Sequence, residues 1–189
     1  KIKSLGIIVR TNSNIHISDQ NKKRIFNEDK LDYILKSLKS LVITINSFNK
    51  KYPNFKINLT LIDQSNSETV NQKFYEILSK LNFKTNLIPF DKNEFKNEIN
   101  LDYNKDVFGN LSSLLKCFKV GKENKDDLVL FLEDDYLHKE TMIEEMVMTY
   151  ERISSQLKKE LIMVPSDYPY LYMKERHTNI LAGSHRHWQ

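Results

Sequence analysis

Leu128-Val129-Leu130-Phe131-Leu132-Glu133-Asp134-Asp135 is a run of five apolar residues that ends in three carboxylates. An unbroken apolar run of this length suits a strand buried on both faces of a parallel sheet, because helices cover both sides of such a sheet. In open α/β sheets ligands bind outside the carboxyl ends of the strands, which is where the acids would stand. Adjacent carboxylates repel one another and resist desolvation, so the triplet suits a hard divalent cation that takes oxygen ligands, Mg²⁺ or Mn²⁺. The plainer reading is that Asp134 or Asp135 caps a helix beginning near Lys139, but a cap needs one acid rather than three.

Working outward, the chain alternates strand-like and helix-like segments. Leu5 to Val9 reads as a first strand, followed by a polar loop from Arg10 to about Asp29. Leu31, Ile34, Leu35, Leu38, Leu41, Val42, Ile45 and Phe48 recur at helical spacing up to Tyr52-Pro53, where proline forbids continuation. Lys56 to Asp63 is a second strand. Val70, Phe74, Ile77, Leu78 and Leu81 mark a second helix, and Lys84 to Phe90 a third strand. Leu111, Leu114, Leu115 and Phe118 define a third helix that closes at Gly121 before the strand Asp127 to Leu132. Ile143, Met146, Tyr150, Ile153 and Leu157 give a fourth helix, and Leu161 to Val164 a fifth strand. Repeated strand-helix units with right-handed crossovers imply a three-layer α/β fold, a mostly parallel sheet with helices on both faces.

Composition narrows the class. The 189 residues, 40% hydrophobic and 29% charged, fit one domain with a sizeable core. No apolar stretch approaches the roughly 20 residues needed to cross a bilayer. Cys117 is the only cysteine, which excludes an internal disulfide and a cysteine-based zinc cluster. It reads as a packed thiol rather than a nucleophile. The net charge of +4 is dispersed among many lysines, which argues against nucleic acid as a partner and is enough for a phosphate-bearing substrate.

The order of these elements, together with Arg10-Thr11-Asn12, Leu61-Ile62-Asp63-Gln64-Ser65-Asn66-Ser67 and Leu132-Glu133-Asp134-Asp135-Tyr136, resembles the nucleotide-sugar-dependent glycosyltransferases of the GT-A fold, which is Rossmann-like. The likeness runs over about residues 4 to 165, and the acidic triplet is its most specific part. In that family the acidic (DxD) motif holds a divalent metal on the sugar-nucleotide diphosphate. The Glu-Asp-Asp version looks like that of the N-acetylglucosaminyltransferases. The resemblance implies Asp135 as the direct metal ligand, with Glu133 and Asp134 facing the ribose, the metal waters or the donor sugar. It also implies that Asp63 contacts the nucleobase and that Arg10, Thr11 and Asn12 bind the nucleotide. A nucleoside diphosphate leaves poorly until its charge is neutralised, and a Lewis-acidic cation does that work.

Each role has a structural rival. Asp63 is as well suited to starting an Asx turn, and Arg10 to pairing with Asp63 as with phosphate. Gly109-Asn110 opens the third helix, so its amides and Asn110 can meet a polar part of the donor or simply begin the helix. Asp167, with Glu175 behind it, is the candidate base for an inverting transfer, and it also suits a turn. His185 and His187 share one side of an extended tail and are candidates to complete the metal shell. Trp188, Tyr168, Tyr170 and Tyr172 are candidates to stack on a sugar ring.

The expected activity is metal-dependent transfer of a hexosyl or N-acetylhexosaminyl group from a nucleotide-sugar to a glycan or lipid-linked acceptor. The expected place is the cytoplasm or, by peripheral association, the cytoplasmic face of the membrane. Residues 1–189 read as one catalytic domain that lacks its C-terminal part. A sugar-phosphate nucleotidyltransferase would need a Gly-rich phosphate loop near the first strand, and none stands between Leu5 and Lys30. A phosphatase of the Asp-x-Asp-x-Thr type would need Thr or Val where Leu137 or His138 stands. A non-catalytic cation- or nucleotide-binding module is the alternative from another class.

Overall fold

Apolar strands and amphipathic helices build the core from two directions. In the computed structural model, which describes residues 1–13, 28–64, 67–99, 107–164, 181–182 and 187–188, the chain runs β1 (Ser4–Thr11), α1 (Lys30–Lys51), β2 (Lys56–Asp63), α2 (Glu68–Leu78) and β3 (Asn86–Pro89). It continues through a short 3₁₀ helix (Lys92–Phe95), α3 (Phe108–Glu123), β4 (Leu128–Leu132) and α4 (Met142–Leu157). β5 (Leu181–Ala182) and β6 (His187–Trp188) pair antiparallel in a separate ladder.

Four strands pair in parallel in the order β3-β2-β1-β4. Their side chains alternate between two clusters. Leu5, Ile7, Val9, Leu59, Leu61 and Leu130 pack under α1, α2 and α4, with Ile34, Leu41, Phe74 and Ile143 on the helical side. Ile8 and Ile62 point the other way, toward Phe90, Phe95 and Cys117 of the 3₁₀ helix region and α3. This is a three-layer α/β arrangement, and each fully buried Leu, Ile or Phe side chain contributes about 1.5–3 kcal/mol by leaving water.

The topology selects one crevice. From β1 the chain steps to β2 and β3 by way of α1 and α2 on one face, then returns across the sheet to β4 by way of α3 on the other. Crossovers of a single hand require that exchange of faces. The direction of stepping therefore reverses between β1 and β4, and the carboxyl ends flanking such a reversal form the ligand crevice of open α/β sheets.

Three expectations need correction. β4 has a neighbour on one side only among the described residues, and Phe131 is 41% exposed, so the strand is not buried on both faces. Phe131 instead meets Phe118 edge-to-face at 5.3 Å, an aromatic contact that partly replaces a covering layer. Leu161 to Val164 forms no strand. After α4 the chain turns through left-handed Lys158, and the Leu161 amide donates to the Tyr150 hydroxyl rather than to a ladder. Apolar composition without a pairing partner does not make a strand. Finally, α3 does not close at Gly121. It begins at Phe108, runs on to Glu123, and buries Phe108, Ser112 and Cys117 while Leu111 and Phe118 stay exposed. Gly121 instead packs closely against β4, where a Cβ would lie 2.6 Å from Phe131 Cζ.

Candidate functional site

Strand register, more than loop shape, assembles the carboxyl edge. Thr11 and Asp63 are Cα partners across β1 and β2. The Thr11 hydroxyl donates to Asp63 Oδ1 at 2.5 Å, and the Ser13 amide reaches the same oxygen at 3.2 Å. Ser13 Oγ donates to Asp63 Oδ2 at 2.7 Å. Asp63 is only 1% exposed, so its carboxylate holds the chain where it leaves β1. Of the two roles open to Arg10, pairing with Asp63 does not occur: Arg10 bonds to Asn110 and Glu133 on the α3 face, while Asp63 bonds to Thr11 on the other.

Val9 is the register partner of Leu132, so Arg10 and Glu133 follow side by side across the switch point. Arg10 Nη2 donates to Glu133 Oε1. Nη1 donates to Asn110 Oδ1, to the Asn110 carbonyl at 3.3 Å and to Ser113 Oγ at 3.2 Å. One guanidinium thus ties β1, β4 and the first turns of α3 together. Asn110 enters the site as an acceptor for Arg10, with α3 beginning two residues before it.

Asp134 turns to the opposite face. Lys30, the first residue of α1, places Nζ 2.5 Å from Asp134 Oδ1, and the two side chains are only 9% and 11% exposed. The Asn12 amide donates to Asp134 Oδ2 at 3.1 Å. Among the described residues two of the three acids therefore carry a cation each, and the third does not. Asp135 faces solvent at the tip of β4, and its carboxyl pKa is raised, first by partial desolvation and then by Asp134 and Glu133, with Lys30 opposing.

The described residues offer a divalent cation few protein ligands. No group of three His, Cys, Asp or Glu side chains able to hold a metal occurs among the described residues, so they form no all-protein cage. Mg²⁺-type sites commonly use one or two carboxylates, with water and substrate phosphates completing the shell. Asp135, with no paired cation at the strand tip among the described residues, is suited to that arrangement. Asp167, Glu175 and His185 lie outside the described residues, as do the side chains of His187 and Trp188. Cys117 behaves as expected: buried against the sheet, its thiol is pushed up to about 11 by desolvation.

Sequence reasoning missed Lys30, Ser13 and Ser113. For Lys30 a signal existed. A lysine at the first position of a helix opposes the macrodipole, and so calls for a carboxylate partner elsewhere. No family model, curated protein or solved structure matches this chain.

Proposed function

We propose that the chain is a metal-dependent glycosyltransferase domain that transfers a sugar, with inversion, from a nucleotide-sugar to a glycan or lipid-linked acceptor. The observation that carries this reading is Asp135, which among the described residues is the one acid of the triplet without a paired cation, at the crevice between β1 and β4. When bound there, Mn²⁺ or Mg²⁺ supplies Lewis-acid neutralisation of the departing nucleoside diphosphate.

The chain's own groups prepare the crevice. Arg10 holds Glu133 at the tip of β4 and fixes α3 against it. Asp63 anchors Thr11 and Ser13, and so orients the backbone that the nucleotide would approach. In this reading Asp63 acts on the nucleobase through the segment it holds. Asp167 keeps the role of base, and His185 or His187 that of a further metal ligand. No helix among the described residues is long and apolar enough to cross a membrane, which agrees with an enzyme working in the cytoplasm or at the membrane's cytoplasmic face.

A melting-temperature screen with nucleoside diphosphates and nucleotide-sugars, with and without Mn²⁺, tests the proposal. A specific ligand at a hundred times its dissociation constant adds about 2.7 kcal/mol. For a chain of this size that raises the midpoint by roughly 5–10 °C. The expected result is a rise with one nucleotide class that requires Mn²⁺ and is lost in Asp135→Ala. No rise with any nucleotide, or a rise that survives Asp135→Ala, overturns it.

A further inference from the structure

α4 carries a second surface that the crevice does not use. Glu145, Met148, Thr149 and Arg152 recur at three- and four-residue spacing and so share one face of the helix, while Ile143 and Val147 hold the core from the opposite side. That outer face, with Lys51 and Glu144, lines a cleft of about 420 Å³, within the range of small-molecule sites. It lies far from the crevice. α1 begins at Lys30 beside Asp134 and ends at Lys51, and its 22 residues span about 33 Å.

The groups lining this cleft are unequally committed. Lys51 Nζ and the Tyr52 hydroxyl both donate to Glu144 Oε1, so that acid and that ammonium satisfy each other. Glu145 is 7% exposed and has interactions of its own. Arg152, in contrast, is exposed, and its guanidinium has neither an ion pair nor a hydrogen bond among the described residues. Thr149, three residues before it, is 6% exposed, and its hydroxyl has no partner there either. Among the described side chains only Ser112 Oγ is both sealed from solvent and unpaired, so the Thr149 hydroxyl opens on the cleft that its residue lines. A polar group held in so buried a place without a bond is costly, and a ligand oxygen would satisfy it.

We propose that the outer cleft of α4 binds a small organic carboxylate, whose oxygens accept from Arg152 and Thr149 and whose apolar body lies against Met148. A guanidinium presents a planar fork of donors that matches a carboxylate, and Thr149 adds a third donor from the adjacent turn. Met148, 37% exposed and four residues before Arg152, supplies an apolar wall beside the fork. Charge separates this ligand from a phosphate. Arg152 offers one uncommitted positive charge, and Glu144 and Glu145 line the same cleft, so a second negative charge on the ligand would meet repulsion without a further cation to answer it. The site is independent of the glycosyltransferase reading and stands or falls separately from it.

Nuclear magnetic resonance of the ¹⁵N-labelled chain reads the site directly, through the Arg152 Nε–Hε signal and the Thr149 amide. The probes are the sodium salts of acetate, propionate and butyrate, with sodium chloride and inorganic phosphate at matched ionic strength. The expected result is a saturable shift of both signals with the carboxylates, the affinity rising roughly threefold for each methylene buried against Met148. Arg152→Gln should weaken butyrate about tenfold or more, because it removes a charged donor pair. Thr149→Val should weaken it by about threefold, and Thr149→Ser should retain the affinity of the unaltered chain. Arg152 is exposed and lies away from the core face of α4, so its variant keeps the fold and decides the matter even if a Thr149 variant does not. The absence of a saturable shift in the millimolar range, an equal response to chloride, or butyrate affinity unchanged in Arg152→Gln overturns the proposal. Phosphate binding more tightly than butyrate overturns it as well, since the cleft would then select charge rather than a carboxylate with an apolar body.

Discussion

Arg10 and Glu133 stand side by side one position beyond Val9 and Leu132, the last register partners of β1 and β4, and the guanidinium donates to the carboxylate. The same guanidinium grips Asn110 and Ser113 of α3. This side chain therefore spans the switch point and fixes the helix that follows the crossover. Arg10→Met should destabilise the chain by about 1–2 kcal/mol, since charged hydrogen bonds contribute more than neutral ones but Glu133 is half exposed and screened. Urea unfolding measures it. A change below about 0.5 kcal/mol, the range of ordinary surface substitutions, would mean the clamp is incidental.

Asp63 gives a larger effect from the same logic. Three donors from Thr11 and Ser13 converge on a carboxylate that is 1% exposed, so Asp63→Ala strands them in a buried place. The expected cost is about 2–4 kcal/mol, with Thr11→Val near 1 kcal/mol because Ser13 continues to serve the acid. Equal costs for the two variants would contradict this division of roles.

How far the sequence could carry the reading depends on which forces write themselves into local pattern. β2 falls at Lys56–Asp63 and α1 at Lys30–Lys51, close to the periodicity, because proline and a continuous apolar stripe define them locally. The acids were legible as a strand tip for the same reason. Their partners were not. Arg10–Glu133 and Lys30–Asp134 join residues 123 and 104 positions apart, and such pairs follow from register and from which face a helix covers. β4 reads as a strand buried on both faces because an apolar run reports hydrophobicity but not the number of neighbours. Gly121 reads as a helix terminator because a glycine packed closely against a neighbour looks the same in sequence as one that forms a left-handed cap.

The two glycines beneath the site should respond differently to alanine. At Gly6 in β1 a Cβ would lie 2.3 Å from Asn124 Nδ2, and that side chain is held in place because its Oδ1 accepts from the Asp126 amide at 2.7 Å. Gly6→Ala is therefore expected to cost about 1–3 kcal/mol as overpacking. At Gly121 the obstructing atoms belong to the far end of the Phe131 ring, which is 41% exposed and can yield at the cost of its edge-to-face contact with Phe118. Alanine also gains about 1 kcal/mol of helix propensity there. Gly121→Ala should be near neutral, and a denaturation series that reverses the order of the two variants would refute the packing argument.

Asp135 links stability to the proposed chemistry through pH. Its folded-state pKa is raised, so the native state holds this proton more tightly than the unfolded chain does. Below the unfolded value, about 3.9 for aspartate, both states are protonated and the residue costs nothing. As pH rises through that value the unfolded chain ionises first, stability falls, and the penalty is complete once pH passes the raised folded value. Asp135→Asn, which cannot ionise, should accordingly be more stable than the unaltered chain near pH 7, with the advantage shrinking toward pH 4. Urea midpoints at the two pH values measure this directly. Mn²⁺ with a nucleoside diphosphate should reverse the order at neutral pH, because the ligand stabilises only the chain that keeps its carboxylate. A pH-independent difference would mean that Asp135 is solvated like any surface acid, removing the physical ground for placing a cation beside it.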